Sequence, residues 1–277
     1  MGEVRYSRPP GGHPPQTELL TGRAVCTDFY AVIPGLNMRD IVASRLPGWE
    51  RTRLWVLARP LTGFAETFSH YVMEVEPGGG SKESEPDENA ESVLFVTHGK
   101  AVLQATNIDG DLIPGSYAFL APGEQWSLSS TGDDDCVFHW IRKNHVKSDL
   151  VGIPSSFVAN EQEIAPIAMP GTAGKWSTTR FVDPDDLRHD MHVNIVTLQP
   201  GGVIPFAETH VMEHGLYVLE GKAVYRLNRD WVEVEGGDYM WLRAFCPQAC
   251  YAGGPGPFRY LLYKDVNRHA ALWPNPG

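Results

Sequence analysis

An internal repeat constrains the fold of this 277-residue chain more than any other feature. The sequence Gly99-Lys-Ala-Val in the first half returns as Gly221-Lys-Ala-Val in the second half. A further turn follows each copy at the same distance, as Gly115-Ser-Tyr-Ala-Phe-Leu and as Gly237-Asp-Tyr-Met-Trp-Leu. A period of this kind indicates two copies of one small architecture joined in tandem.

The segments between these glycine turns predict strands rather than helices. They are short and rich in valine and aromatic residues, as in Ala223 to Leu227 and Tyr260 to Tyr263. The 28 glycines and 22 prolines suit a fold with many tight turns. The chain is therefore predicted to be all-β, with one barrel for each copy of the repeat.

The boundary between the two copies is marked by a change in composition. Strand signals weaken between His145 and Pro170, where polar, proline-containing sequence takes over. We therefore predict a flexible segment at 1–22, a first barrel at 23–150 and a second barrel at 151–277.

Charge and cysteine content limit the possible partners and compartment. The net charge of −11 argues against nucleic acid or an anionic membrane as the partner. No apolar run approaches the roughly 20 residues of a membrane span, and Met1 to Leu20 lacks the apolar core of a signal peptide. The four cysteines show no zinc-ribbon spacing and are expected to be free thiols in a reducing compartment, so the protein is predicted to be cytoplasmic.

The second repeat contains a set of side chains able to bind a metal. Glu208 and His210 alternate, so on a strand they would share one face, and His214 follows after a short turn. Gln248 lies eleven residues beyond the turn at Gly237. Two imidazoles, a carboxylate and a carboxamide suit Mn²⁺, Fe²⁺, Co²⁺, Ni²⁺ or Zn²⁺. Because the set contains no thiolate, a structural zinc site is not expected.

These spacings resemble the two sequence motifs of the cupin family, although the ligand types differ from the commoner pattern. The positions of the first motif are occupied by Gly202, Glu208, His210, His214 and Gly221, and those of the second by Gly237 and Gln248. The resemblance implies two tandem cupin barrels, each a double-stranded β-helix of the jelly-roll type.

The first repeat does not have the same ligand set. Ser92 and Trp126 stand at the positions that correspond to ligands, so the first barrel is expected to lack a metal site. Nearby acidic residues, Asp87, Glu88 and Glu91, are interpreted as part of a solvated loop.

Two longer stretches narrow the resemblance further. Glu208-Thr-His-Val-Met-Glu-His-Gly and Tyr263-Lys-Asp-Val-Asn-Arg268, together with Gln248, resemble the (S)-ureidoglycine aminohydrolases. These are manganese-dependent double cupins of allantoin degradation in purine catabolism, also called glyoxylate-induced proteins. The resemblance covers nearly the whole chain from about Ala24.

The resemblance implies an enzyme that converts the small molecule (S)-ureidoglycine to (S)-ureidoglycolate and ammonia. It further implies a homo-oligomer and Mn²⁺ held by the four residues named above, although other divalent metals suit them. Glu208 and Lys264 are the implied catalytic residues, Glu208 for proton transfer. The implied substrate-binding residues are Tyr225, Tyr260, Lys264, His192 and Asn194.

One short segment departs from the family pattern. The family is expected to have asparagine at the position of His192 and histidine at the position of Asn194, the reverse of this chain. Both positions face the same side of a strand, so the exchange bears on which acid the pocket accepts.

Two other functions fit the same residues. Two histidines and a carboxylate also suit an Fe(II)-dependent oxygenase, which oxygen uptake with iron would identify. A double barrel can also bind a small acid without turnover, and such a protein would hold its ligand without releasing ammonia.

Overall fold

The computed structural model of this chain describes residues 23–35, 45–60 and 65–265. The predicted flexible segment at 1–22 lies outside the described residues, as does the end of the predicted closing stretch from Val266 to Arg268. Among the described residues there is no helix long and apolar enough to cross a membrane.

Strands account for nearly all the regular structure of the described residues. The first ten are β1 (Val25–Cys26), β2 (Tyr30–Ile33), β3 (Trp49–Ala58), β4 (Phe68–Ser81), β5 (Ala90–His98), β6 (Ala101–Ala105), β7 (Asp109–Leu112), β8 (Ser116–Leu120), β9 (Trp126–Ser130) and β10 (Cys136–Asn144). The next is β11 (Phe157–Asn160), which a 3₁₀ turn at Glu161–Glu163 follows. The remaining strands are β12 (Ile167–Ala168), β13 (Trp176–Arg180), β14 (Met191–Leu198), β15 (Val203–Glu208), β16 (His214–Glu220), β17 (Lys222–Leu227), β18 (Asp230–Glu235), β19 (Tyr239–Leu242), β20 (Gln248–Ala252) and β21 (Phe258–Asp265).

Within the described residues these strands form three sheets. The first half of the chain contributes most of a nine-stranded sheet, ordered β11-β8-β5-β10-β4-β9-β6-β7, with β3 paired to β4. The second half has an eight-stranded sheet, ordered β1-β2-β19-β16-β21-β14-β13-β12, which faces a four-stranded sheet, ordered β15-β20-β17-β18. The prediction of an all-β chain with two tandem barrels is confirmed.

The glycines of the repeat are explained by the backbone at the tight turns. Gly99 has φ 68° and Gly221 has φ 84°, a region that residues with a Cβ rarely adopt. A Cβ at Gly99 would lie 2.3 Å from the Asp135 carbonyl oxygen, and one at Gly221 would lie 2.1 Å from the Pro257 carbonyl oxygen. Each turn therefore requires glycine both for its backbone angles and for the close approach of a neighbouring strand.

The eight-stranded sheet is buried on both faces. On β21, Phe258 and Tyr260 pack into the core of the second barrel, whereas Leu261 and Tyr263 pack into a core shared with the first half. The shared core also contains residues of β5 and β10, among them Phe95. This double burial explains why strands of this sheet such as β16 and β19 are nearly continuous buried runs, whereas β17 of the four-stranded sheet alternates between buried and exposed residues.

Two short segments cross between the halves. Strand β2 lies within the range predicted for the first barrel but pairs with β19 of the second half, and Tyr239 stands opposite Ile33. Conversely, β11 follows residue 150 but pairs with β8 of the first half, and Phe157 stands opposite Phe119. The boundaries at 23–150 and 151–277 stay a prediction. The pairing of β2 with β19 and of β11 with β8 shows that each half contributes a strand to the sheet of the other half.

Candidate metal centre

Strands β15 and β20 hold Glu208 and Gln248 side by side. The two residues are directly paired, and Gln248 is also paired with Leu227 of the barrel core. Residues that pair across antiparallel strands project from the same face of the sheet. The register shifts between Ile204 and Glu208, so a bulge in β15 sets the position of Glu208 at the strand end.

His210 lies in the loop after β15, not on the strand. The expectation that Glu208 and His210 share a strand face is therefore wrong, because β15 ends at Glu208. The loop is anchored to the turn before β20: the Phe245 backbone N–H donates to the His210 carbonyl oxygen at 2.7 Å, and the Thr209 hydroxyl donates to the Phe245 carbonyl oxygen at 2.8 Å. These contacts turn the loop so that His210 meets His214 at the start of β16.

Three of the four predicted ligands meet at one point. The Nε2 atoms of His210 and His214 lie 3.0 Å apart, and Nε2 of Gln248 lies 3.3 Å from the same atom of His210. Rotating the Gln248 carboxamide by half a turn would bring its oxygen to this point. Donors that share one metal at about 2.1 Å and about a right angle stand roughly 3 Å apart, so the spacing suits a shared ion.

His214 has the protonation that a metal ligand needs. Its Nδ1 lies 3.2 Å from the Tyr263 carbonyl oxygen, to which the Nδ1–H donates, so the lone pair of Nε2 faces His210. Burial, together with the neighbouring His210, lowers the pKa of His214 to about 3, so the imidazole is neutral near pH 7. Within the described residues, Nδ1 of His210 is buried without a hydrogen-bond partner.

The residue before His214 fixes the start of β16. The buried Glu213 carboxylate accepts hydrogen bonds from the Thr67 backbone N–H at 2.9 Å and from the Trp241 indole N–H at 2.6 Å. The Glu213 backbone N–H donates to the Asp265 carboxylate at 2.6 Å. Glu213 thus ties the segment that carries His214 to the first half of the chain and to the end of β21.

Lys264 lies in register between two histidines. It is paired with His214 on β16 and with His192 on β14, so the three side chains project from one face of the sheet. Burial, and next the charge of Arg180, lower the pKa of Lys264, whereas Glu208 acts in the opposite direction. Burial raises the pKa of Glu208, against the effects of His210 and Lys264. A carboxyl group with a raised pKa and an amine with a lowered pKa therefore lie near the imidazole pair.

Three of the other predicted substrate-binding residues, His192, Asn194 and Tyr260, lie on this face, whereas Tyr225 lies on β17 of the facing sheet. Asn194 and His192 are each 5% exposed, and the Asn194 Oδ1 and the His192 Nε2 are buried without a hydrogen-bond partner among the described residues. Tyr225 and Tyr260 lie in the apolar core with their rings 6.3 Å apart, edge to face. Burial raises the pKa of both phenols. Among the described residues, the Tyr225 hydroxyl is also buried without a hydrogen-bond partner, so polar atoms without a partner occur both at His192 and Asn194 and deeper in the barrel.

A second cluster of ligand-type side chains was missed from the sequence. Glu91, His145 and Asp190 have ligand atoms within 4.8 Å of one another, and all three are buried between the halves. The placement of Glu91 in a solvated loop is wrong, because Glu91 lies on β5 and is 0% exposed. The sequence spacing of these three residues did not indicate a cluster, because they come from distant parts of the chain.

This second cluster is already balanced by a cation. The Lys143 ammonium lies 2.8 Å from the Asp190 carboxylate, and His145 Nδ1 lies 3.0 Å from the Glu91 carboxylate. Burial raises the pKa of Glu91 to about 8. The Asp190 and Glu91 carboxylates raise the pKa of His145 to about 9, although burial acts against them. The donor atoms of this cluster are therefore already engaged in an ion-pair and hydrogen-bond network with Lys143, whereas the imidazole pair beside Gln248 has no cation in direct contact among the described residues.

The barrels and their ligand-type residues define the class of the protein as a double cupin. Residues 194–263 match the Cupin domain family. The chain is 28% identical over 260 residues to the (S)-ureidoglycine aminohydrolase of Escherichia coli K12, covering 92% of this chain and 95% of that protein. It is 32% identical over 230 residues to the (S)-ureidoglycine aminohydrolase of Arabidopsis thaliana, covering 82% and 74%. The chain belongs to the (S)-ureidoglycine aminohydrolase family, as the sequence motifs predicted.

A solved structure extends this similarity to the whole fold. A crystal structure from Pseudomonas aeruginosa, described as a glyoxylate-induced protein, is 63% identical, covers 99% of this chain and 100% of its own, and has a TM-score of 0.92. The agreement includes both halves, so the double barrel is common to the two proteins.

Proposed function

We propose that this protein is a divalent-metal-dependent hydrolase that releases ammonia from (S)-ureidoglycine and forms (S)-ureidoglycolate. The observation that supports it most directly is the 3.0 Å approach of the two imidazoles next to Gln248, on the face that also bears Lys264. The support from relatives is that the E. coli and Arabidopsis proteins carry this activity in their names.

In this proposal the metal is held by Glu208, His210, His214 and Gln248, and manganese is the metal we expect. The neutral His214 imidazole and the mixed set of nitrogen and oxygen donors suit a borderline divalent ion. When bound, such an ion supplies Lewis acidity and fixes the orientation of the substrate. The Glu91 cluster is the weaker candidate for the ion, since Lys143 already lies beside Asp190 there.

The reaction requires two proton transfers that Glu208 can carry out. Water forms a bond to the reacting carbon and loses a proton, while the bond to the amino nitrogen breaks and that nitrogen gains a proton. A carboxylate whose pKa is raised by burial is a stronger base than an exposed one, and a pKa closer to neutral pH suits a group that first takes up a proton and then gives it back. Glu208 would therefore take the proton from water and deliver it to the departing ammonia.

The proposed roles of the remaining residues follow from their chemistry. The Lys264 ammonium orients the carboxylate or the ureido oxygen of the substrate. The polar atoms of His192 and Asn194 without a partner are available to its ureido group, and the phenols of Tyr225 and Tyr260 would supply hydrogen bonds deeper in the barrel. The exchange of His192 and Asn194 relative to the family leaves a donor and an acceptor on the same face.

The proposal includes a cytoplasmic homo-oligomer. Free thiols at all four cysteines agree with a reducing compartment. Trp231 and Tyr251 are both exposed, with their rings 5.7 Å apart, and such exposed aromatic pairs suit an interface between subunits. Light scattering of the purified protein would measure the number of subunits.

The test is ammonia release from freshly generated (S)-ureidoglycine by metal-stripped protein, with and without Mn²⁺. We expect release only with the metal, a loss of at least about 100-fold in Glu208→Gln, and little change in the control Glu91→Gln. Metal content per chain should fall in His210→Ala and stay constant in Glu91→Gln.

Two results would contradict the proposal. If manganese-loaded protein releases no ammonia, the proposed reaction is contradicted. Oxygen uptake with Fe²⁺ would then support the oxygenase alternative. Loss of bound metal in Glu91→Gln, but not in His210→Ala, would move the metal centre to the interface between the halves.

A further inference from the structure

Arg180 is a cation inside the second barrel that no motif singled out. It ends β13, where Trp176, Thr178 and Arg180 alternate. Trp176 packs against the barrel core and Thr178 is 8% exposed, opposite the core residue Val196. Because alternate residues of a strand share a face, the Arg180 side chain leaves the sheet on the barrel side.

The neighbours of Arg180 are the residues of the candidate site. Arg180 is paired with Asn194 on β14, and His192, two residues before Asn194, is paired with Lys264 on β21. Lys264 is in turn paired with His214. The positive charge of Arg180 acts on both flanking groups and contributes to the lowered pKa of Lys264 and of His192, in which burial is the largest cause.

Neither cation is in direct contact with a carboxylate among the described residues, although the charges of Glu208 and Asp265 act to raise the pKa of Lys264. Within the described residues, neither the Arg180 guanidinium nor the Lys264 ammonium makes a hydrogen bond or an ion pair, whereas other arginines such as Arg142 and Arg259 are paired with carboxylates. Two partly buried cations that repel each other are unfavourable unless an anion joins them. The Asn194 Oδ1, also without a partner, lies on the same face and can accept an N–H from the same ligand.

We infer that Arg180 is a specificity-determining residue that binds the substrate carboxylate from the β13 side, opposite Lys264. This inference deepens the proposed function, on which it rests, by stating what the barrel selects. A guanidinium presents two parallel N–H groups that match a carboxylate, which an ammonium does not. The selected class is a small acid with its carboxylate next to an N–H donor, as in an α-ureido or α-amino acid.

The experiment is calorimetric titration of manganese-loaded protein with N-carbamoylglycine, which keeps the carboxylate and the ureido group but has no leaving amine. N-carbamoylglycinamide, in which an uncharged amide replaces the carboxylate, is the matched ligand. We expect Arg180→Gln to weaken binding of the acid by at least about tenfold and Arg180→Lys to weaken it less. Binding of the amide should be weaker and should not change in Arg180→Gln.

A matched control is Arg226→Gln, since Arg226 lies on the exposed face of β17 in the same barrel and involves the same change of charge. Its affinity for the acid should equal that of the wild-type protein, and thermal melting of each variant should show that it is folded. An Arg180→Gln affinity within twofold of wild type would overturn the inference, as would a wild-type protein that does not bind the acid.

The outcomes separate this inference from the proposed function. If the acid binds in an Arg180-dependent way but the protein releases no ammonia, the carboxylate subsite is supported and the proposed reaction is contradicted. If ammonia release depends on manganese but the KM is unchanged in Arg180→Gln, the proposed reaction is supported and the carboxylate subsite is contradicted.

Discussion

Lys264 and His214 are register partners on the antiparallel strands β21 and β16, so an ammonium and an imidazole project side by side from one face of the sheet. Strands β16 and β21, which are far apart in the sequence, therefore contribute side chains to the same site. The relationship connects the candidate metal ligands to the face that bears His192, Asn194 and Arg180.

Removal of an imidazole should abolish the stabilisation that a metal provides. An ion that binds only the folded protein raises its stability by RT ln(1 + [L]/Kd), which is about 2.7 kcal/mol at a metal concentration of 100 times the Kd. We expect a chelator to lower the melting temperature of the wild-type protein and to leave that of His214→Ala unchanged. An equal response of both proteins to the chelator would contradict the assignment of His214.

Stability should fall in acid because of a buried histidine pair between the halves. His139 Nδ1 lies 2.9 Å from His70 Nε2, and burial lowers the pKa of His139 to about 3 from an ordinary value of 6.5. Below pH 6.5 the unfolded chain therefore binds a proton that the folded chain does not. The free energy of unfolding falls with decreasing pH, by about 1.4 kcal/mol per unit, until the pH approaches the folded pKa.

His139→Gln should reduce this slope, because it removes one of the protons that the unfolded chain takes up. Denaturant unfolding measured from pH 7 to pH 4.5 would give the slope, with His98→Gln as the control. Equal slopes for wild type and His139→Gln would show that the imidazole is not kept neutral by burial.

The turn glycine of the second repeat should not tolerate a side chain. Gly221→Ala places a Cβ 2.1 Å from the Pro257 carbonyl oxygen at φ 84°, so strain and overlap together should cost more than about 2 kcal/mol. Gly253→Ala is the control, since nothing lies within 4 Å of its added Cβ. The free energies of unfolding of the two variants would differ little if the turn were able to relax.

The ion pair between the halves should be sensitive to removal of one partner. Lys143→Met leaves the Asp190 carboxylate, whose side chain is 4% exposed, without its cation at 2.8 Å. Removing one partner of a buried ion pair costs about 3–5 kcal/mol, and we expect the lower end of this range because His145 Nδ1 stays 3.6 Å from the Asp190 carboxylate. Lys222→Met, which breaks an exposed pair with Glu235, is the matched control and should change the unfolding midpoint very little. Similar midpoints for both variants would contradict a structural role for the Lys143 pair.

Local patterns in the sequence were sufficient for the fold and for the family. Repeated glycine turns and short apolar runs predict two β-barrels, because turn geometry and strand preference are properties of a few neighbouring residues. The candidate ligands Glu208, His210, His214 and Gln248 could be predicted for a similar reason. Three of the four lie within seven residues, and the fourth lies at a fixed distance after a glycine turn.

Pairing between distant strands decided the rest. The sequence alone determined the class of fold, the positions of the turns and the candidate metal ligands. Only the tertiary structure brought Arg180 beside Asn194, buried Glu91 against His145 and Asp190, and exchanged β2 and β11 between the halves. The physical reason is that sheet register and the packing of one half on the other depend on many contacts between remote residues, and no single spacing records them.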